Sequence, residues 1–184
     1  EASLPPANED TGVFARLSSV IVYGLPILDS AKYGVHLAVA VPALQQAMVM
    51  LLSPFQLLDS VPYSQLIIFI IIQSLAEDRR LPILTRFNMR QAIVIDIALG
   101  LLQLLEVGAK QLGLTQVIPD PVRQLDFDSA VFVVVLLCIT YAAGSSLLGV
   151  APKGIPAISE YAERNMAPTR PSVKEAPEGE DKHK

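Results

Sequence analysis

The chain is a succession of apolar runs, each parted from the next by proline, charge or both. The first candidate span runs from Val13 to about Ala31, the second from Val61 to Ala76, the third from about Met89 to Ala109, and the fourth from about Ala130 to Val150. A hydrocarbon core of roughly 30 Å takes about 20 helical residues. Three runs have that length, and the second, shorter one needs neighbouring helices or local thinning to cross. In the first run Pro26 removes a helix hydrogen bond and crowds the preceding turn, which predicts a kink near Tyr23 and Gly24. The stretch from Val35 to Leu58 is also apolar, but Pro42, Gln45, Gln46 and Pro54 interrupt it, and only residues 59–62 part it from the second run. We read residues 41–58 as an interfacial or partly embedded helix rather than a fifth crossing. The pattern therefore predicts an all-α polytopic membrane protein of four transmembrane helices, with this extra helix between the first and second.

Charge supports an even number of crossings. Four spans put both termini on the same side as the polar connector from Glu77 to Arg90. That side holds Arg79, Arg80, Arg86, Arg90, Lys153, Arg164, Arg170 and Lys174, against Lys32, Lys110 and Arg123 on the other. The positive-inside rule then places the termini on the side from which the chain was inserted. Residues 1–12 form an acidic segment unlike a signal or transit peptide, residues 151–166 a membrane-proximal segment, and residues 167–184 a charged, Pro-containing tail expected to be disordered.

Composition agrees: 52% of residues are hydrophobic and only 17% charged, too little to cover a soluble surface. The net charge of −4 arises mainly at the two ends, and no basic patch with interleaved aromatics points to nucleic acid. Cys138 is the lone cysteine, and His36 and His183 stand far apart, so neither a disulfide nor a zinc ligand set is expected, and no other metal or cofactor. The motifs of phosphate-binding loops, zinc proteases and nucleophile elbows are missing, so an enzyme is not expected.

Asp96 is the most informative single residue, because a carboxylate deep in a span costs roughly 2.5–3.5 kcal/mol on insertion scales unless it is paired or wet. At helical spacing it shares a stripe with Met89, Gly100 and Gln103 that is too polar for lipid and should face the bundle interior. Two readings stand. Asp96 and Gln103 line a route for a polar substrate, or Asp96 bonds to Tyr23, Gln73, Tyr141 or Arg16 and fixes helix packing. An acid pair with Asp29 has nothing in the local sequence to favour it. Ala142 with Ser146, and Ser145 with Gly149, set small residues four apart on the last span, a spacing that lets helices approach closely. The cationic group Arg79, Arg80, Arg86 and Arg90, with Asn88, suits lipid headgroups, a partner or a passing anionic segment at the membrane surface, and its competing reading is a topology determinant.

The run from Arg86 through Phe87, Asn88, Met89, Arg90, Gln91 and Ala92 to Asp96 and Leu99 resembles the signature of the twenty-kilodalton membrane subunit of the protein translocon at the chloroplast inner envelope, a family with cyanobacterial relatives. Tyr23 to Asp29, Ser60 to Tyr63, and Gly154 to Glu160 with Ala162 to Arg164 are similar to the same family, in its order, over roughly Val13 to Met166. The resemblance implies four spans, termini towards the stroma, and a role in moving preproteins across the inner envelope together with other translocon subunits. It supplies no catalytic residues. A four-helix bundle fills its own centre with side chains, so a polypeptide route would be a groove completed by partners or oligomers. The competing functions are a small-solute channel and a structural subunit of another plastid membrane complex. Pigment binding by the latter would need more axial ligands than His36.

Overall fold

The computed structural model describes residues 9–55, 61–113 and 121–166, with side chains omitted for 121–126. Pro26 shapes the first element as expected. Helix α1 (Val13–Ile21) ends in a tight step in which the Tyr23 amide reaches the Val20 carbonyl at 3.2 Å, and α2 restarts at Gly24 and runs to Ala40. Together they form one apolar unit of 28 residues. The span was expected to stop near Ala31. It continues to Ala40 because Asp29, Lys32 and Tyr33 meet polar groups on a neighbouring helix, described below.

Val41 is extended and Pro42 opens α3 (Pro42–Leu52), followed by a 3-10 turn at Ser53–Phe55. Proline is suited to the first helical position and pushes the residue before it out of the helical region. At 11 residues, about 16 Å, α3 is too short to cross. It folds back along α2 until the Phe55 ring lies over Gly24, where a Cβ would come within 2.8 Å of that ring. The helix anticipated at 41–58 is thus α3 and its turn lying beside α2, and residues 56–58 fall outside the described residues.

Helix α4 (Ser64–Glu77) is apolar but only 14 residues long, and α5 (Ile83–Gln111) has 29. The polar connector is shorter than the sequence suggested. Residues 83–90 are already helical: Leu84, Phe87 and Met89 are buried in the bundle, and Thr85, Arg86 and Asn88 find hydrogen-bond partners there. Helix α6 (Pro121–Leu147) closes at Gly149. The Val150 amide reaches the Ser145 carbonyl and the Gly149 amide the Ser146 carbonyl, both at 2.9 Å, with Gly149 at φ +79°. This is a Schellman ending, which needs a residue at ease in the left-handed region. A short helix α7 (Ile158–Met166) follows. Three units are long and apolar enough to cross a membrane, namely α1–α2, α5 and the Phe127–Leu147 part of α6, and α4 is a fourth, shorter apolar helix.

Side-chain contacts fix the topology. Ser18 meets Thr85, Tyr23 meets Asn88 and Lys32 meets Gln103, so α1–α2 and α5 run parallel. Helix α6 runs the other way, with Phe132 against Gly34 and Ser146 against Asn88. Helix α4 is also antiparallel to α5, bringing the Ala76 carbonyl to Arg86. The start of α1, the Arg79–Arg90 region and α7 consequently gather at one end. Tyr23, Tyr33, Met89, Ile93, Ile95, Leu99, Phe132, Val135, Ile139 and Ala142 fill the centre, while Ile21, Ile67, Ile70, Leu101, Leu104, Leu105 and Leu137 face outward. An apolar rim around a filled centre is the pattern of a helix bundle in lipid. The tail at 167–184, the first eight residues, and the Pro119–Asp120 loop lie outside the described residues.

Candidate functional site

Two polar assemblies lie inside this apolar shell. The first is a closed knot at the arginine-rich end. The step before Pro26 turns Tyr23 inward, where it is wholly buried. Its hydroxyl proton is shared between Asn88 Oδ1 at 2.7 Å and Gln91 Oε1 at 3.0 Å. Asn88 Oδ1 also accepts from the Ser146 hydroxyl at 2.9 Å, and its amide donates to the Leu84 carbonyl. Gln91 donates to the Pro152 carbonyl and to Ser159 Oγ, both at 2.9 Å, and Ser159 also accepts from the Ile155 amide. Five buried side chains thereby tie α1–α2, α5, α6 and α7 to one another. A buried polar group is tolerated when it is bonded and costs about 1–3 kcal/mol when it is not, so this set holds a particular helix register. Ala142 and Ser146 are fully buried on the inward face of α6, where Ser146 reaches Asn88 of α5, and Ser145 is half-buried. Gly149 has a different part from that of a small residue paired with Ser145. It lies beyond the helix and ends it, with the Arg16 guanidinium 3.1 Å from where its Cβ would be.

The arginines cap helix ends. Arg86 Nε donates to the Ala76 carbonyl at 3.1 Å near the end of α4. Arg90 reaches the same carbonyl and the Asn165 carbonyl of α7 at 2.7 Å. Arg16 Nη1 reaches the Leu147 carbonyl at the end of α6 at 3.2 Å. Cationic donors at helix C-termini satisfy orphan carbonyls and oppose the negative end of the helix dipole. Arg86 and Asn88, expected at headgroup level, are therefore inside the protein, 7% and 0% exposed. Arg79 is half-buried and Arg80 exposed, its amide bonded to Asp78.

The second assembly is a ladder on the seam between α2 and α5. Among the described residues Asp96 makes no hydrogen bond to Tyr23, Gln73, Tyr141 or Arg16. It meets Asp29, the carboxyl pair that the local sequence gave no reason to expect, within hydrogen-bonding reach. An ionised carboxylate only accepts, so a bond between the two requires one proton. Farther along, Lys32 Nζ donates to Gln103 Oε1 at 2.7 Å and sits 4.8 Å from the centre of the Tyr33 ring. Tyr33 faces Glu106, with Asp29 and Asp128 nearby. Gly100 and Gln103 point out of the bundle rather than into it, and Gly100 has open space beside it. The stripe on α5 is real, but it borders an outer seam. Three buried oxygens along it have no hydrogen-bond partner: Asp96 Oδ1, Tyr33 Oη and Glu106 Oε1. Sequence reasoning passed over Tyr33 and Glu106. Their spacing from Asp29 and Asp96 was the available signal, since residues 29, 32 and 33 share a face of α2 just as 96, 103 and 106 share one of α5.

Comparison with known proteins places residues 1–162 within a family model described as chloroplast import apparatus, Tic20-like. Among curated proteins, Protein TIC 20-v, chloroplastic, of Arabidopsis thaliana is 27% identical over 155 residues, covering 82% of this chain and 70% of that protein. Protein TIC 20-II, chloroplastic, of the same plant is 28% identical over 160 residues, covering 82% and 72%. A Tic20 family protein of the cyanobacterium Synechocystis is 30% identical over 91 residues, 49% of this chain and 57% of that protein. No solved structure matches the chain.

Proposed function

The chain belongs to the Tic20-like family of the chloroplast import apparatus, and we propose that it is a multi-pass subunit of the import translocon in the chloroplast inner envelope, contributing a face of the route taken by preproteins. In this reading α4 is a fourth, short crossing, and the arginine-rich end with both termini faces the stroma, in keeping with the positive-inside rule. Arg79 and Arg80 meet anionic lipid headgroups or a neighbouring subunit there. The protein performs no catalysis. It works by offering polar surface within the membrane, completed by other translocon subunits or by further copies of itself.

The observation that carries this reading is the exposed Lys32–Gln103 pair on the seam between α2 and α5. The bundle centre is packed with Tyr23, Ile93, Leu99, Phe132 and Ile139, leaving no lumen for a chain. The α2–α5 seam instead sets Lys32 and Gln103, exposed and bonded to each other at 2.7 Å, on the outer surface at membrane depth, where lipid would be a poor neighbour. Photo-crosslinking residues at Gly100 and Gln103, with lipid-facing Ile70 as control, test it in envelope membranes holding an arrested precursor. Precursor adducts at the first two sites and not at Ile70 are expected. Adducts to translocon subunits alone would make the seam an assembly surface and place the route elsewhere.

A further inference from the structure

We propose that this subunit thins and wets the bilayer beside α4: on the side away from the arginine-rich end, water and lipid headgroups reach down to the first turn of that helix, in a notch bounded by α5 and α2. The proposal rests on the preceding reading that α4 is a fourth, short crossing, and it states what that shortness does to the membrane.

Helix α4 has 14 residues, about 21 Å, against a hydrocarbon core of about 30 Å. One end is pinned, because Arg86 and Arg90 hold the Ala76 carbonyl at the arginine-rich end. The shortfall of roughly 9 Å therefore falls at the other end, where the antiparallel register with α5 gives its level. Gln73 and Ala76 line one small cleft with Arg90 and Ile93. Ser64 lies nine positions back from Gln73 and Leu102 nine positions on from Ile93, so α4 begins about level with Leu102. Helix α5 runs nine positions farther, to Gln111, about 14 Å. No neighbouring helix covers this step among the described residues. Arg90, Ile93, Ile97, Gly100 and Leu104 share the face of α5 that α4 follows, yet nothing lies within 4 Å of where a Gly100 Cβ would be, and Ile97 and Leu104 are exposed.

The polar groups at this level require water. Residues Val61–Ser64 close a turn, the Ser64 amide reaching the Val61 carbonyl at 3.2 Å, so α4 does not continue towards the far surface. First-turn amides have no intrahelical carbonyl, and irregular backbone at membrane depth persists only inside protein or against water. Val61, Pro62, Tyr63 and Gln65 are exposed, which leaves water. Tyr63 is also of the type enriched where bilayer meets water. The exposed Lys32–Gln103 pair stands at the same level. The ion pairs among the described residues are Lys153–Glu163 and Arg164–Glu160, so Lys32 has no carboxylate in contact, and a wet leaflet solvates its ammonium instead. The opposite flank of the bundle differs. Phe132 packs on Gly34, which sets Val134 level with Lys32, and there α6 carries an apolar span of 21 residues with Val134 exposed. The thinning is thus confined to the α4 side.

The test uses the full chain in a Cys138→Ala background, with one cysteine added at a time, in sealed proteoliposomes enriched for one orientation. A membrane-impermeant sulfonated maleimide is the probe. Gln65→Cys and Leu66→Cys, both at exposed positions, report the first turn of α4. Val134→Cys reports the same depth on α6, and Glu160→Cys on α7 marks the arginine-rich side. Gln65→Cys and Leu66→Cys are expected to react about a hundredfold faster than Val134→Cys, the penalty for forming a charged thiolate in hydrocarbon. They should do so from the side opposite to Glu160→Cys. Rates as slow as that of Val134→Cys from both sides would overturn the notch while leaving α4 a crossing. Fast reaction from the side of Glu160→Cys would mean that α4 does not cross, and would remove both.

Discussion

Tyr23 and Tyr33 lie on the same stretch of chain, are 0% and 3% exposed, and differ in one respect that can be measured. The Tyr23 hydroxyl is the hub of the knot, whereas that of Tyr33 faces the Glu106 carboxyl without a hydrogen bond of normal geometry. Changing either to Phe removes one oxygen and leaves the ring and its packing in place. In Tyr23→Phe, Asn88 Oδ1 still accepts from Ser146, but Gln91 Oε1 loses the donor that reaches it among the described residues. Interhelical hydrogen bonds in membranes average about 0.6 kcal/mol, and stranding a buried acceptor costs about 1–3 kcal/mol. The second effect dominates here, because the buried Gln91 side chain is fastened by its amide to Pro152 and Ser159 and cannot turn its oxygen towards water. Tyr23→Phe should therefore destabilise the bundle by about 1–2 kcal/mol, and Tyr33→Phe by about 0.5 kcal/mol or less.

Unfolding of the purified protein by SDS from mixed micelles, followed by far-ultraviolet circular dichroism, measures both variants under one condition. A Gln91→Leu change added to Tyr23→Phe should cost less than the sum of the two single changes, because the acceptor stranded by the first is removed by the second. Equal destabilisation by the two tyrosine variants would refute the reasoning. It would mean that the Tyr33 hydroxyl has a partner of comparable strength, or that the knot contributes packing alone.

Three other perturbations follow from the same geometry. Gly149→Ala puts a Cβ on a residue at φ +79° and 3.1 Å from Arg16, and a loss of about 1–2 kcal/mol in the same SDS titration is expected. Gly34→Ala would drive a methyl to 2.8 Å from the Phe132 ring across the α2–α6 contact, with an expected cost of about 1–3 kcal/mol by thermal denaturation in detergent. Arg90→Ala removes the bond to Asn165 and one of those to Ala76. Proteolysis within Ile158–Met166 should become about fivefold faster, corresponding to about 1 kcal/mol of looser α7 docking, while the spans stay protected.

The apolar periodicity and the proline positions carried most of the fold. Pro26 announced the α1–α2 break and Pro42 the start of α3, because proline acts on its own backbone whatever surrounds it. Helix ends were harder. The α2 extension past Ala31 and the early start of α5 both depend on polar side chains that find partners only after the helices meet, and no local pattern reports such partners. The site was legible in part for the same reason. Asp96 drew notice as a charge in an apolar run. Its partner Asp29 could be named only with the parallel register of α2 and α5, which the sequence does not state. Arg86 and Asn88 were expected to contact lipid headgroups or a partner at the membrane interface, yet their bonds to Ala76, Tyr23 and Ser146 bury them in the bundle.

That contrast separates the two polar assemblies physically. In the knot, every oxygen and nitrogen of Asn88 and Gln91 is engaged, so their burial adds specificity at small cost, and folding alone accounts for them. In the ladder, three buried oxygens go without a hydrogen bond of normal geometry and two carboxyl groups face one another, and folding alone gives no reason for the arrangement. An apolar seam of the same volume would stabilise the bundle more, since a buried polar group without a partner is worse than none. The two sets also sit apart along α5, with Gln91 anchored among four helices and Gly100 opening outward nine positions later. A bundle that is rigid at its arginine-rich end and polar along one outer seam suits a subunit that must hold its own shape while presenting a hydrophilic surface to something else in the membrane. The ladder is accordingly where substitutions should alter traffic more than stability, and the knot where they should do the reverse.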